Sequence, residues 1–178
     1  MAGSNLLNLE SVYKSFDIRA LLDGVSLGVN AGDRIGIVGR NGGGKSTLIK
    51  IMAGIEIPDA GRVSKAGSIN IGLLGQSDEL DEDLLVRDVV LGDLATHEWA
   101  GNSKVREVLT GLFGGMSEEL LDRRISYLSG GERRRVNLAK LLIADLDLVL
   151  LDEPTNHLDV EGVSWLAQYL KRNTKLAR

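Results

Sequence analysis

The sequence has 178 residues with a formal net charge of −4, and 43% of the residues are hydrophobic. This length suits one domain with a substantial buried core, and the acidic balance gives no global reason to expect a nucleic-acid partner. Because the sequence contains no cysteine, disulfides and thiolate metal sites are excluded, and it has neither an apolar run of membrane-spanning length nor an N-terminal signal-peptide pattern.

Hydrophobic patterning in the first part of the sequence predicts three strands and a helix. Residues 6–15 and 25–29 alternate as strands of a small antiparallel sheet, with a turn at 23–24 before the second of them. Residues 34–38 run apolar and predict a buried strand, and residues 47–53 have helical spacing. A strand, a glycine-rich loop and a helix therefore follow one another at this point.

The glycine-rich loop at residues 39–46 reads GRNGGGKS and fits the pattern G-x-x-x-x-G-K-[ST]. Between a strand and a helix, this pattern places backbone N–H groups and a helix N-terminus around phosphate oxygens. Lys45 would reach the terminal phosphates, and Ser46 would take a place on Mg²⁺. A glycine-rich turn with a helix cap is the alternative explanation. The predicted nucleotide-binding residues of this segment are Gly39, Asn41, Gly42, Gly43, Gly44, Lys45, Ser46 and Thr47.

The middle of the sequence changes from strands to helices. Residues 62–64 and 68–74 predict short strands, whereas helical spacing dominates further along the chain. Residues 77–144 are therefore predicted to form a helical subdomain inserted between two parts of an α/β core, 1–76 and 145–178. The helices are predicted at 86–94, 103–112, 117–124 and 129–143.

Residues 148–153 read LVLLDE and predict a buried strand that ends in two acids. The carboxyl ends of the strands form the ligand-binding edge of open α/β sheets, so both acids are expected there. Asp152 is predicted to hold Mg²⁺, which prefers oxygen ligands. Glu153 is predicted to be the general base, or to position the water that attacks the γ-phosphate. A strand followed by an acidic turn is the plain alternative.

Residues 128–132 read LSGGE and open the helix predicted at 129–143. Ser129 and Glu132 have the spacing of a capping box. Two consecutive glycines at a helix start are costly unless a ligand must approach the backbone. A γ-phosphate at the positive end of the helix would account for them.

Together these motifs resemble the nucleotide-binding domain of the ABC ATPase superfamily. GRNGGGKST at 39–47 resembles its Walker A motif, LVLLDE at 148–153 its Walker B motif and LSGGE at 128–132 its signature. Gln76 lies where the family has its Q-loop glutamine, and Phe16 lies where an aromatic residue stacks on adenine. The resemblance implies an α/β fold, a P-loop NTPase domain of the ABC type with an N-terminal antiparallel β subdomain and an inserted helical subdomain.

The resemblance also implies ATP and Mg²⁺ as cofactors. Ser46, Gln76 and Asp152 would lie on the metal, and Gln76 would contact the nucleotide as well. Such an active site is composite. Ser129 and Gly131 would contact the γ-phosphate held by a second ABC domain, arranged head to tail in the same full-length chain or in a homodimer.

Two sequence segments resemble one particular group within this superfamily. DEPTNHLD at 152–159 and GDRIGIVGRNG at 32–42 are similar to the ABC-F group, whose members carry two ABC domains in one chain and no membrane domain. This implies a cytoplasmic protein, without membrane insertion, that acts on the ribosome in translation or in antibiotic resistance. The alternatives are the ATPase subunit of an ABC membrane transporter, which has the same motifs, and a nucleotide-binding module that does not hydrolyse ATP.

The family also has a switch histidine after the strand that follows Walker B. Neither histidine of this sequence, His97 or His157, occupies that position. The sequence therefore resembles an ABC domain truncated near its C-terminus, with the last strands of the core missing. We expect an open position in the core sheet, or a strand borrowed from a neighbour, and ATP binding with weak or absent hydrolysis by these residues alone.

Two further sets of side chains have more than one interpretation. Arg133, Arg134 and Arg135 on the signature helix predict either a solvated helix face or a contact with phosphate or RNA. Trp99 and Trp165 are interpreted as packing residues rather than base-stacking platforms, since neither lies in a basic patch.

Overall fold

The computed structural model describes residues 4–75, 80–92, 101–115 and 117–173, and these fall into two compact units. Unit 1 contains the described residues up to Leu73 together with Leu146–Asp152 and Asn173. Unit 2 contains the described residues of Leu74–Asp145 and of Glu153–Arg172. Each unit has its own buried side chains and is described by itself below.

A three-stranded antiparallel sheet forms the first part of unit 1. Its strands are β1 (Asn5–Phe16), β2 (Arg19–Asn30) and β3 (Ala60–Lys65), in the order β2-β1-β3. Both neighbouring strands run antiparallel to the central β1. The predicted N-terminal antiparallel sheet is confirmed, with β3 as its third strand.

The hairpin between β1 and β2 turns earlier than the sequence predicted. Phe16 pairs with Arg19, so the turn is made by the two residues between them, where Asp17 has a positive φ of 53°. The prediction of a turn at 23–24 is wrong. Gly24 has a φ of 68° and lies inside β2, where the register with β1 shifts, so its left-handed conformation serves a β-bulge.

The core of unit 1 joins this sheet to a helix and to a second, two-stranded sheet. Helix α1 (Lys45–Ala53) ends at Gly54 in the left-handed conformation that favours glycine at helix C-termini. Strand β4 (Ile71–Leu74) pairs with β5 (Leu148–Leu151). The buried cluster contains Leu7, Leu9, Val12, Leu22, Val29, Leu48, Ile49, Ile51, Met52, Leu148 and Leu150.

The segment before the glycine loop is not the buried strand that the sequence predicted. Residues 33–40 form no strand, and Ile35 and Val38 are 45% and 96% exposed. Ile37 packs against the core of unit 1. A strand forms only where a neighbour accepts and donates its backbone hydrogen bonds. No strand in the part of the chain that the structure describes pairs with this segment, so the strand predicted at 34–38 does not form.

Unit 2 is a group of helices around the signature helix. The helix that begins at the signature packs against two earlier helices, Val86–Leu91 and Ser103–Phe113. The second of these also packs against the last helix. No helix among the described residues is long and apolar enough to cross a membrane. The elements are α2 (Val86–Leu91), α3 (Ser103–Phe113), α4 (Glu118–Leu121), a 3₁₀ turn (Ile125–Tyr127), α5 (Gly130–Ile143) and α6 (Val160–Arg172).

Helix α6 is fixed on α3 by two aromatic side chains. The rings of Trp165 and Tyr169 stack with their centroids 4.9 Å apart, and Tyr169 is fully buried. Burial, with a smaller contribution from Glu107, raises the pKa of the Tyr169 phenol to about 12. The indole of Trp165 lies directly against Gly111 of α3, where a Cβ atom would overlap the ring. The interpretation of Trp165 as a packing residue is confirmed, whereas Trp99 lies outside the described residues.

Candidate functional site

The glycine loop of unit 1 turns the chain sharply into α1. The amide of Gly43 donates to the carbonyl oxygen of Arg40 at 3.0 Å, and the amide of Leu48 donates to Gly44 at 2.8 Å. Gly44 caps the helix with a φ of 86°, and a Cβ atom there would lie 2.8 Å from the carbonyl oxygen of Leu21. Both the backbone angle and this close approach require glycine at position 44.

The side chain of Lys45 lies back across the loop. Its ammonium Nζ donates to the carbonyl oxygens of Gly39 and Arg40, each at 2.9 Å. The cation is therefore held at the mouth of the loop by neutral acceptors, beside the N-terminus of α1. Phosphate oxygens are stronger acceptors for an ammonium than carbonyls are. This arrangement can exchange two carbonyl contacts for contacts to an anion.

The β1–β2 hairpin brings two further side chains to this region of unit 1. Phe16 ends β1 and is 55% exposed, so its ring is available for stacking. Arg19, its partner in the hairpin, donates from NH2 to the carbonyl oxygen of Gly42 at 3.3 Å. The sequence analysis missed Arg19. Recognition of the turn at 17–18 would have found it, because that turn places Arg19 opposite the predicted base-stacking residue.

The remaining predicted residues of unit 1 lie in the glycine loop, in the first turn of α1 and directly after β5. Asn41 is exposed, whereas Ser46 and Thr47 lie partly buried in the first turn of α1. Asp152 directly follows β5 and is only 5% exposed. Helix α1 and strand β5 pack in the same core of unit 1. The hydroxyl of Ser46 and the carboxylate of Asp152 are therefore held by elements that pack together.

The side-chain oxygens of Ser46 and Asp152 fit an Mg²⁺ ion that binds together with a nucleotide. The described residues contain no group of three or more histidine, aspartate or glutamate side chains placed to bind a metal. Mg²⁺ needs no such cage, because it takes one or two protein oxygens and keeps phosphate and water as its other ligands. Ser46 and Asp152 supply oxygens of that kind, while Gln76, the third predicted metal ligand, lies outside the described residues.

In unit 2 the signature begins with a complete capping box. Ser129 Oγ accepts from the amide of Glu132 at 3.3 Å, and Glu132 Oε2 accepts from the amide and the hydroxyl of Ser129, both at 2.8 Å. Arg123 NH1 contacts Glu132 Oε1 at 2.8 Å. These contacts, the Ser129 amide first, lower the pKa of the Glu132 carboxyl to about 2.

The two glycines of the signature have no local structural demand. Neither has a positive φ, and a Cβ atom at Gly130 would meet no atom of the described residues within 4 Å. A Cβ atom at Gly131 would lie 3.6 Å from Cβ of His157, an ordinary contact distance. Glycine at a helix start without such a demand is consistent with access to the backbone by a ligand.

We expect the charge of Glu132 to stabilise unit 2 above pH 4.5. The folded pKa of about 2 lies below the ordinary value of 4.5, so this stabilisation is complete above pH 4.5 and is lost as the pH falls towards 2. Glu132→Gln keeps an acceptor for the capping box but removes the charge, and it should lower the free energy of unfolding by about 1 kcal/mol at pH 7.

Urea unfolding of both proteins between pH 2 and 7 measures this difference, which should shrink towards zero at the acid end. Glu119→Gln is the matched control, because Glu119 is exposed on α4. A difference between the Glu132 proteins that stays constant across the pH range would contradict the assignment.

The segment after β5 carries two strained residues in unit 2. Glu153 and His157 have positive φ values of 48° and 68°, which non-glycine residues rarely adopt. The exposed Glu153 carboxylate accepts from Asn156 Nδ2 at 2.7 Å, and Asp159 caps α6 by accepting from the amide of Gly162 at 2.7 Å. Strained conformations of this kind cluster at functional sites, which supports a role for Glu153.

The three arginines of α5 are bound within unit 2. Arg133 NH1 contacts Glu82 Oε1 at 2.6 Å, and Arg135 NH1 lies 3.9 Å from Asp159 Oδ2. Arg134 is 4% exposed and donates from NH1 to the carbonyl oxygen of the residue before Gln76. The solvated-face interpretation is therefore wrong for Arg134, because its charge is used inside the unit.

The structure groups the predicted residues in two sets. Unit 1 holds Phe16, the glycine loop, Ser46 and Asp152, and unit 2 holds the signature beside the segment that contains His157. The first set combines a glycine loop of the phosphate-binding type with an exposed aromatic side chain in the same unit, which is typical of a P-loop nucleotide-binding domain.

The sequence comparison identifies the family. A profile described as "ABC transporter" matches residues 22–156, which is more than half of the chain. The chain therefore belongs to the ABC transporter family, and the predicted relation to the ABC superfamily and its ABC-F group is confirmed.

Curated relatives are about one third identical to this chain over the aligned residues. The energy-dependent translational throttle protein EttA of Mycobacterium tuberculosis strain H37Rv is 36% identical, over 93% of this chain and 36% of its own length. The tylosin resistance ATP-binding protein TlrC of Streptomyces fradiae is 35% identical, over 94% of this chain and 38% of its own length. The chain thus spans well under half the length of these relatives.

Solved structures agree on the fold. An archaeal ribosome recycling factor, aABCE1 in complex with the stalk protein aP1, matches with a TM-score of 0.82 and 28% identity, over 98% of this chain and 33% of that one. A bacterial Atm1-family ABC exporter with ATP bound matches with a TM-score of 0.75 and 25% identity, over 98% and 33% of the two chains. The predicted fold class is confirmed.

Proposed function

We propose that this chain binds ATP–Mg²⁺ through the glycine loop of unit 1 and belongs to a cytoplasmic ABC-F-type ATPase that acts on the ribosome. The observation that carries the proposal is the position of Lys45, whose ammonium lies on the Gly39 and Arg40 carbonyls at the N-terminus of α1. A cation and a helix N-terminus that share one loop form an anion site of the kind that nucleotide phosphates occupy.

Each residue then has a role in binding. The loop amides and Lys45 hold the phosphates, and Phe16 stacks on the adenine. Ser46, Asp152 and Gln76 hold Mg²⁺, which, when bound, neutralises charge on the β- and γ-phosphates. The remaining loop contacts are made by Gly39, Asn41, Gly42, Gly43, Gly44 and Thr47.

Hydrolysis needs a group that positions a water. Glu153 follows the metal-side acid directly and is exposed, its backbone has a positive φ, and its carboxylate accepts a hydrogen bond from Asn156. We assign to it the role of general base or water-positioning group, which contributes about 100-fold or more to the rate. The charge of the γ-phosphate is stabilised by position and electrostatics, so no covalent phosphoenzyme is needed.

The site is completed by a second ABC domain. Ser129 and Gly131, at the open start of α5, contact the γ-phosphate of an ATP bound to that domain, in a head-to-tail arrangement within one full-length chain or a homodimer. The absence of steric demand at Gly130 supports this, because a phosphate can reach the backbone there. ATP then favours the closed pair and hydrolysis favours its separation.

The ribosome is proposed as the partner because of the relatives. One relative is named a translational throttle protein, another a tylosin resistance protein, and one structural match is a ribosome recycling factor. The rival function is the ATPase subunit of a membrane transporter, which the match to an ABC exporter favours.

Co-sedimentation with ribosomes tests the proposal. The full-length gene product carrying Glu153→Gln should bind ATP without hydrolysing it, so it should pellet with ribosomes in ATP but not in ADP. The control adds Lys45→Ala to Glu153→Gln and should remain in the supernatant. Recovery of the protein with membranes, and no ATP-dependent association with ribosomes, would replace this proposal with the transporter function.

A further inference from the structure

The end of β1 is fastened to the segment before β3 by one aspartate. The amide of Asp59 donates to the carbonyl oxygen of Tyr13 at 2.9 Å. The carboxylate of Asp59 accepts from the amide of Ser15 through Oδ2 at 2.7 Å. These two hydrogen bonds fix the backbone on both sides of Lys14, close to the point where Phe16 ends the strand.

The side chain of Lys14 is fixed by three acceptors. Its Nζ lies 2.8 Å from Glu56 Oε1 and 3.1 Å from Asp59 Oδ1, and it donates to the carbonyl oxygen of Ile57 at 2.8 Å. Only 12% of the side chain is exposed, which is low for a lysine on a small sheet. The hydrogen bond to Glu56, followed by that to Asp59, raises the pKa of the Lys14 ammonium, so the charge is kept at neutral pH.

The same ammonium lies over an aromatic ring that the site uses. Lys14 Nζ is 5.8 Å from the centroid of the Phe16 ring, within the range of a cation–π contact. Phe16 nevertheless remains 55% exposed. A cation near one face withdraws electron density from the ring and restricts its rotation. The exposed surface then becomes a better-defined platform for an electron-rich purine.

We propose that Lys14, held by Glu56 and Asp59, is a positioning residue that orients and polarises Phe16 for the base of the bound nucleotide. This inference rests on the proposed ATP site and adds to it a residue that acts through another side chain. Lys14 is expected to affect the contact with the base and to leave the contact with the phosphates unchanged.

Binding of ATP and of inorganic tripolyphosphate by this chain separates the two effects. Lys14→Met should weaken ATP binding about threefold to tenfold, because a cation–π contact and the order of one ring are lost. The affinity for tripolyphosphate, which has no base, should not change. Lys14→Arg keeps a cation that can reach both carboxylates and should retain most of the ATP affinity. Lys50→Met is the matched control, since Lys50 is exposed on α1.

A double-mutant cycle with Phe16→Leu identifies the route of the effect. If Lys14 acts through Phe16, Lys14→Met should cost nothing further in the Phe16→Leu background. Circular dichroism confirms folding at the assay temperature. Should Lys14→Met unfold, Glu56→Gln, which keeps the lysine and removes one of its acceptors, should lower the ATP-to-tripolyphosphate affinity ratio in the same direction.

The outcomes are distinguishable. An unchanged affinity ratio in both Lys14→Met and Glu56→Gln overturns the inference and leaves the ATP site intact. Equal losses for both ligands also overturn it, because they indicate a purely structural lysine. Failure of the unaltered chain to bind tripolyphosphate and ATP overturns the proposed function and this inference together.

Discussion

Replacing Lys45 with alanine is expected to weaken ATP binding by this chain about 100-fold. In the structure the ammonium makes two hydrogen bonds to loop carbonyls, and in the complex it would make charge-assisted contacts to phosphate oxygens instead. Two such contacts contribute about 3 kcal/mol, and 1.4 kcal/mol corresponds to tenfold in affinity. Fluorescence titration with a labelled ATP analogue measures the change.

The control for this experiment is Lys50→Ala on the same helix. Lys50 is exposed, whereas the helix face opposite to it carries Leu48, Ile51 and Met52 in the core. Its replacement should leave the affinity within twofold of the unaltered chain. An equal loss for the two lysines would mean that general charge, and not the position of Lys45, determines binding.

Replacing Gly111 with alanine is expected to destabilise unit 2 by about 2–3 kcal/mol. The added methyl group would overlap the indole of Trp165, which is itself stacked on the fully buried Tyr169. Overpacking of this kind forces side chains out of their rotamers or moves the helices apart. The intrinsic helix preference of alanine over glycine, about 1 kcal/mol in the opposite direction, is too small to compensate. Urea unfolding monitored by tryptophan fluorescence measures the loss.

Two further proteins show whether the overlap causes the effect. Gly101→Ala adds the same methyl group where none of the described residues has an atom within 4 Å, so its stability should be unchanged or slightly higher. In the double variant Gly111→Ala, Trp165→Leu, the smaller side chain makes room for the methyl group. The double variant should therefore lose less than the sum of the single losses. Additive losses would place the strain elsewhere.

Local patterns in the sequence were enough to predict several elements of the fold. The spacing of Ser129 and Glu132 predicted the capping box at the start of α5, because both partners lie within one helical turn. The run of apolar residues before Asp152 predicted β5, and the loop from Gly39 to Lys45 predicted the helix that follows it. For the capping box and the helix after the loop, the determining contacts lie a few residues apart, whereas β5 also needs its pairing with the distant strand β4.

Two of the failures depend on partners that are distant in sequence, and the third depends on the residues that the hairpin turn uses. Residues 34–38 have the composition of a buried strand, but no described strand pairs with them. The turn at 17–18 lacks a glycine, while Gly24 resembles a turn residue and serves a bulge. The burial of Arg134 depends on the carbonyl oxygen of Gly75, and no pattern on its own helix predicts that acceptor.

The three adjacent arginines of α5 connect this helix to three other stretches of unit 2. Through Arg133, Arg134 and Arg135, one helix contacts Glu82, the carbonyl oxygen of Gly75 and Asp159. These acceptors belong to three separate stretches of the chain. Displacement of the helix start by a ligand would act on these stretches through the three side chains, and we expect the buried contact of Arg134 to transmit it more strongly than the exposed pairs of Arg133 and Arg135.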